Sequence, residues 1–378
     1  MNQVTSKATA VAYHKVVKPL LFRKQPDVVH DKLLRTGSRL QTHAVARMLL
    51  QGAWNYQNPE VLSQTIHGIT FKNPVGLSAG FDKNFEVAQL MKSIGFGFME
   101  GGSVTYHPCS GNPKPWFHRL PNSKSLVVHA GLGNRGVAKS VAGIQKYPAG
   151  TFSDFPLNIS VAKTNLPKVY TEEAGIADYV RCVQYIQSAG VGHMITLNIS
   201  CPNAFGGESF TNPQKLGRLL HAIDSLELVQ PLFIKMPSDL DWSTFEKLLA
   251  VIDHHNVTGL TISNLAKDRS KLTLADPLPN SVKGNLSGKP TWELSNNLIK
   301  RTFQTYGSRF VIIGVGGIFS AEDAYTKIKL GAHLVELITG MIFEGPQLIG
   351  QINHELVELL HKDGFTHIGQ AVGIDAVK

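Results

Sequence analysis

The sequence is short of cysteine, of long apolar runs and, near its start, of acid. Its 378 residues include three cysteines, Cys109, Cys182 and Cys201, none in a CxxC pair. A disulfide framework is thereby excluded, a reducing compartment is favoured, and a cysteine-rich metal or iron–sulfur site is disfavoured, so no metal is expected. No run of about 18 apolar residues occurs, so no spanning helix is predicted. The first apolar stretches are short and broken by Lys and His, unlike a secretory signal. No acidic residue precedes Asp27, which leaves a mitochondrial transit peptide open. There is no internal repeat and no low-complexity tract.

What the first 60 residues do have is base. Nine Lys and Arg stand against Asp27, Asp31 and Glu60, so two thirds of the net charge of +9 sits in the first sixth of the chain. Such a segment could meet nucleic acid, anionic lipid or only solvent. The apolar residues between the charges (Val16, Val17, Leu20, Leu21 and Phe22, then Val29, Leu33, Leu34 and Leu40, then Val45, Met48, Leu49 and Leu50) predict short amphipathic helices broken near Pro19, Pro26 and Gly37. Basic amphipathic helices favour a membrane surface over nucleic acid. We therefore expect residues 1–62 to be a membrane-associating helical segment and 63–378 a catalytic domain.

From residue 70 onward, short apolar runs alternate with helical patterns. Eight candidate strands (73–80, 96–105, 155–163, 193–200, 231–237, 257–264, 309–317 and 333–340) are interleaved with helices at 84–93, 171–188, 212–228, 242–254, 290–306, 320–329 and 346–361. This predicts an α/β fold, a (β/α)₈ barrel, with a doubly wound sheet as the alternative. Polar residues and glycines gather at the strand ends, where such a barrel builds its site. Two irregular excursions, 106–154 and 265–289, read as functional loops on that face.

The strand ends suggest specific chemistry. "IIGVGGI" and "LITGMIFEGP" end consecutive strands in glycine, the arrangement by which barrel enzymes hold phosphate on backbone N–H groups. "GNLSGKP", 284–290, adds glycines near the same place. "GLSAGFDKN" offers Ser78, Ala79 and Gly80 with little bulk, a surface for a flat cofactor ring, and Lys235 in "FIKMP" could bring a cation beside it. "LNISCPNAFGG" holds Cys201 between Asn198 and Asn203, with glycines behind that suit a lid over 204–212. Cys201 is either a buried strand-end residue or a thiol base, whereas Cys182 in "DYVRCVQYI" reads as helix core.

Taken together, "NPVGLSAGFDKN", "GFGFMEGGSVT", "GNPKPWFHRLP", "LNISCPN", "ISNLAKDRS", "LSGKP" and "VIIGVGGI" resemble the dihydroorotate dehydrogenase family over about residues 26–350. The N-terminal segment and "IFEGPQLI" resemble its membrane-associated, quinone-using class 2 branch. The resemblance implies oxidation of dihydroorotate to orotate in pyrimidine synthesis. It implies flavin mononucleotide (FMN) held by Ala79, Gly80, Ser103, Asn158, Asn198, Lys235, Ser263, Gly288, Gly317, Ile338 and Thr339. Substrate would be held by Lys83, Asn198, Asn203 and Asn264, with Cys201 as the base that removes the C5 proton while hydride leaves C6. Electrons would pass to a membrane quinone at the cytoplasmic face of a cell membrane, or at the inner mitochondrial membrane in a eukaryote.

Three positions depart from the family pattern. Class 2 members usually place serine where Cys201 stands, whereas cysteine marks the soluble class 1 enzymes. Val128 replaces a substrate-binding asparagine, and Leu265 replaces a hydroxyl residue beside Asn264. The last two changes remove polar partners from the expected substrate pocket, so the alternatives are a related FMN oxidoreductase with a different, less polar substrate, or a catalytically degenerate flavin-binding protein.

Overall fold

A computed structural model describes residues 1–201 and 210–377. Eight parallel strands close into a barrel: β1 Val75–Leu77, β2 Phe98–Val104, β3 Leu157–Val161, β4 Met194–Asn198, β5 Leu232–Lys235, β6 Gly259–Ile262, β7 Val311–Val315 and β8 Leu334–Leu337. Each lies inside one of the eight sequence-expected strands. Nearly every strand residue is buried, because helices cover the outside and side chains fill the lumen, and this is why the strands read as continuous apolar runs.

The outer helices follow from 3.6-residue periodicity. Helix Pro213–Asp224 buries Leu216, Leu219, Leu220 and Ile223, and helix Trp242–Asp253 buries Phe245, Leu248, Leu249 and Ile252, in each case one face against the barrel. Both begin at a side-chain cap. Asn212 Oδ1 accepts from Lys215 N at 3.2 Å and Asp241 Oδ1 from Thr244 N at 2.9 Å, each worth about 1 kcal/mol. Below the barrel, the hairpin Gln64–Ile66 with Ile69–Phe71 carries Phe71 onto Phe98, their rings 5.3 Å apart. Gly76 makes room for Phe98: a Cβ there would lie 2.3 Å from its ring.

The two excursions meet above the barrel. Strands Phe117–Leu120 and Ser125–Val128 from the first, and Asn285–Gly288 from the second, form one antiparallel sheet in which Val128 faces both Phe117 and Asn285. The first excursion also contains a helix, Val137–Ile144, that the sequence reading left irregular.

The N-terminal helices differ from expectation at two of three predicted breaks. The chain runs as helix from Gln3 to Phe22 through a π-helical turn, Tyr13–Val17, just before Pro19. A turn already off the i→i−4 pattern accommodates a residue without an N–H. Pro26 does open a new helix, Pro26–Leu40, which passes straight through Gly37. A Cβ on Gly37 would lie 2.7 Å from Leu90 Cδ2, so this glycine is a point of close packing. A further helix, Ala44–Trp54, completes the segment.

Candidate active site

The carboxyl ends of the strands open into a deep cavity that also runs out beneath helix Pro26–Leu40. Ala79, Gly80, Ser103, Asn198, Lys235, Ser263, Gly288, Gly317, Ile338 and Thr339 all line it, together with Lys83, Cys201 and Asn264. Asn158 does not reach the wall. It is buried in the lumen, where its amide donates to Thr196 Oγ1 at 2.8 Å and accepts from it at 3.1 Å. Asn203 and most of the expected lid lie outside the described residues.

One wall is backbone and small side chains. Ser78, Ala79 and Gly80 follow β1, and a Cβ on Gly80 would meet only Ile338 Cδ1, at 3.9 Å, so the space in front of it is open. Gly316 and Gly317 follow β7 with φ of 116° and 73°, the left-handed region that favours glycine. Gly340, after β8, is pressed so close to Ile318 O that a Cβ would lie 2.1 Å from it. Ser287 and Thr339 hydroxyls meet at 3.0 Å and tie the upper sheet to this end.

The centre of the cavity is a hydrogen-bonded chain across strand ends. Asn198 Nδ2 donates to Ser103 Oγ at 2.9 Å, Ser103 and Ser160 hydroxyls meet at 2.8 Å, and Asn264 Nδ2 donates to Asn198 Oδ1 at 3.0 Å and Ser200 Oγ at 2.9 Å. The Tyr179 hydroxyl donates to Asn198 O at 2.8 Å and holds the end of β4 just before Cys201. Cys201 is half-buried and packs on the cluster of Cys109, Leu132 and Ala162.

Lys83 enters from the loop after β1. Its Nζ donates to Gly80 O at 2.8 Å and lies 5.5 Å and 5.4 Å from the rings of Trp116 and Phe117. Burial pulls its pKa down to about 8, against the opposing pull of Asp82, Asp31 and Asp27. Val128 and Leu265 also line the cavity, with Ala130 and Leu132, so all three departures from the family pattern, Cys201 included, fall on its lining.

Four lining or near-lining groups were not singled out from sequence: Glu100, Glu336, His30 and Arg119. An acid flanked by apolar residues inside a strand ("FMEGG", "LVELI") was the available signal for the first two. His30 sits edge-on to Phe81 and Phe117 at 5.3 Å and 5.4 Å, and burial, helped by Lys83, drops its pKa to about 3, so it is neutral. Arg119 donates to Lys24 O at 2.7 Å and its guanidinium lies 4.5 Å from the Phe22 ring.

A sequence profile of dihydroorotate dehydrogenase matches residues 61–360. This chain belongs to the dihydroorotate dehydrogenase family. A relative named dihydroorotate dehydrogenase (quinone) from Crocosphaera subtropica is 32% identical over 376 residues, covering 95% of this chain and 97% of its own length. One of the same name from Deinococcus deserti is 35% identical, covering 96% and 100%. Among solved structures, ligand-free dihydroorotate dehydrogenase from Eimeria tenella superposes with a TM-score of 0.79 at 25% identity, covering 93% of this chain and 99% of that one. Membership of the dihydroorotate dehydrogenase family thus agrees with the closed barrel, and the similarity extends over the N-terminal helices as well.

Proposed function

We infer that this protein oxidises dihydroorotate to orotate, a step of pyrimidine synthesis, with FMN as cofactor and a quinone as electron acceptor. Family membership and the full-length relatives named for the quinone-type enzyme support the reaction. The observation that carries it is one cavity lined at once by Cys201, Lys83, Asn198 and Asn264 and by the glycine-rich ends of β1, β7 and β8.

The residues suit the cofactor. The open space before Gly80 suits a flat ring, buried Lys235 suits its polar edge, and Gly316, Gly317, Thr339 and Gly340 suit a phosphate on backbone N–H groups. When bound, the flavin supplies a two-electron acceptor for hydride. The chain does the rest. Lys83 pairs with the substrate carboxylate, and Asn198, Asn264 and Asn203 meet the ring amides, since an amide side chain offers donor and acceptor without charge. Cys201 takes the C5 proton. The thiolate, not the thiol, is the form of that side chain able to accept it.

The quinone reaches the flavin through the arm of the cavity lined by Val29, His30, Leu33, Phe117 and Arg119. Exposed Val16, Leu20, Val45, Met48 and Leu49, set among Lys and Arg, make residues 1–62 a peripheral membrane contact, leaving 63–378 as the catalytic domain. Among the described residues no helix is long and apolar enough to cross a membrane.

Val128, Ala130, Leu132 and Leu265, apolar residues that line the same cavity, favour one second reading, a related flavin oxidoreductase acting on a less polar substrate. Anaerobic addition of dihydroorotate to the purified flavoprotein separates the two. Bleaching of the flavin, reversed by a ubiquinone analogue, is the expected result. No bleaching at millimolar dihydroorotate rejects the substrate, and recovery with fumarate but not quinone rejects the acceptor.

A further inference from the structure

Inward-facing positions of a (β/α)₈ barrel are ordinarily filled by branched apolar side chains. The lower lumen here is apolar, with Phe98, Met194, Phe233, Ile313 and Leu334 in one buried cluster. Above it stand three ionisable groups: Glu100 on β2, Lys235 on β5 and Glu336 on β8, which are 0%, 4% and 0% exposed. Lys235 Nζ lies 3.2 Å from Glu100 Oε2 and 3.4 Å from Ser78 Oγ. Neither oxygen of Glu336 meets hydrogen-bond geometry, nor does Glu100 Oε1, although Glu100 and Ser78 stand close enough to act on the Glu336 carboxyl, which lines the cavity beside Ser78 and Lys235.

Two carboxyls and one ammonium carry a net negative charge if all are ionised, on side chains almost wholly buried. An isolated buried carboxylate is so costly that it keeps its proton instead. Burial and the neighbouring Glu100 push the Glu336 carboxyl well above the ordinary range, with Lys235 opposing. Among the described residues, Glu100 and Lys235 are the charged groups facing it. Ser78 adds a hydroxyl, and the adjacent strands present Gly76 and Val315 at its level.

Building on the flavin reading above, we propose that Glu336 is a cofactor-tuning residue: with Glu100 it governs, through one retained proton, how much of the Lys235 charge reaches the flavin ring, and so sets the reduction potential. While the proton is held, the cluster is neutral overall. Once it is lost, the cluster is negative and opposes the negative charge that reduction places on the ring. Two-electron reduction to the anionic flavin takes up two electrons and one proton at N5, so its equilibrium changes tenfold per pH unit. Where Glu336 is ionised in the oxidised protein and regains its proton on reduction, a second proton is taken up and the change becomes a hundredfold per unit.

The test is a spectral redox titration of the holoprotein against reference dyes from pH 6 to 10, in wild type, Glu336→Gln and Glu100→Gln. Flavin content, read first by absorbance, checks the cofactor assignment separately. Glu336→Gln should hold the tenfold slope throughout, while wild type steepens toward a hundredfold at the alkaline end. Glu100→Gln, which leaves Glu336 as the one carboxyl beside Lys235, should let Glu336 give up its proton at lower pH, so that the alkaline steepening of wild type is lost. Parallel lines for wild type and Glu336→Gln, with flavin bound in both, overturn the proposal and leave the flavin reading standing; wild type that binds no flavin overturns both. The apoprotein gives a second readout. A carboxyl with a raised folded pKa stabilises the fold fully below its unfolded pKa, about 4.3, and less as pH rises toward the folded one. Wild-type Tm should therefore fall relative to Glu336→Gln as pH rises, and an identical pH dependence of Tm also counts against the proposal.

Discussion

On one side of the cavity, the ends of β1, β7 and β8 present backbone and residues too small to vary in reach, several fixed by close approach: Gly340 against Ile318 and Gly317 against Trp292. On the other, the floor of the upper sheet and the loops after β4 and β6 present side chains, among them Val128, Leu132, Cys201 and Leu265. The first wall is made by the barrel itself, so altering it disturbs the fold. The second hangs on excursions, where substitution changes chemistry at little structural cost. All the departures from the family pattern fall on the second wall.

The contrast can be broken most forcefully at Cys201. Cys201→Ala should bind flavin as wild type does but slow its reduction by dihydroorotate by about 10²–10⁴, the usual contribution of a positioned base. Stopped-flow reduction with flavin content as control reads both, and an unslowed rate removes Cys201 from the chemistry. Lys235→Met attacks the barrel side instead. It leaves Glu100 buried without its cation, a loss of about 3–5 kcal/mol in urea unfolding, and flavin should be lost with it.

Next in size is a pH effect at Lys83. Its ammonium is present below a pKa of about 8 and lost above it, so KM for an anionic substrate should rise about tenfold per pH unit beyond that point. Lys83→Gln should give a high KM that no longer responds over this range, and a wild-type KM flat to pH 9.5 would show that Lys83 does not pair with the carboxylate. The smallest effects belong to Val128→Asn and Leu265→Thr. Each restores about 0.5–1.5 kcal/mol of hydrogen bonding, a two- to tenfold fall in KM for dihydroorotate. Unchanged kinetics in the double variant would mean these positions do not face the substrate.

The barrel was legible because its strands are buried on both faces and therefore spell themselves as apolar runs, while Leu216, Leu219, Leu220 and Ile223 spell a one-sided helix. Strand ends were legible for the same reason: Asn198, Lys235 and Asn264 are polar where an apolar run stops. The upper sheet was not, since Val128 and Asn285 are paired by the closure of the barrel between them, which no local pattern encodes. Nor was the direction of Asn158, which sits between apolar neighbours like a site residue but turns into the lumen to bond Thr196. Gly37 reads as a stop in sequence and is a contact in space. Glu100 and Glu336 are not legible, because a lone acid inside a strand carries no spacing signal, and their meaning comes only from the barrel order that sets them on the two strands flanking β1, with Lys235 between their carboxyls and the opposite wall.

Asp27 is one of only three acids in the first 60 residues. Its carboxylate accepts from the backbone N–H of Trp116 at 3.0 Å and of Phe117 at 3.3 Å. Tyr13 donates to Ile342 O at 2.7 Å, and His14 reaches Glu344 at 2.9 Å. The N-terminal helices are thus clamped to the hairpin and to the C-terminal side of the barrel by contacts far apart on their length, like a keel bolted at both ends. Any surface that takes up Leu20 and Met48 therefore also fixes the heading of the cavity mouth.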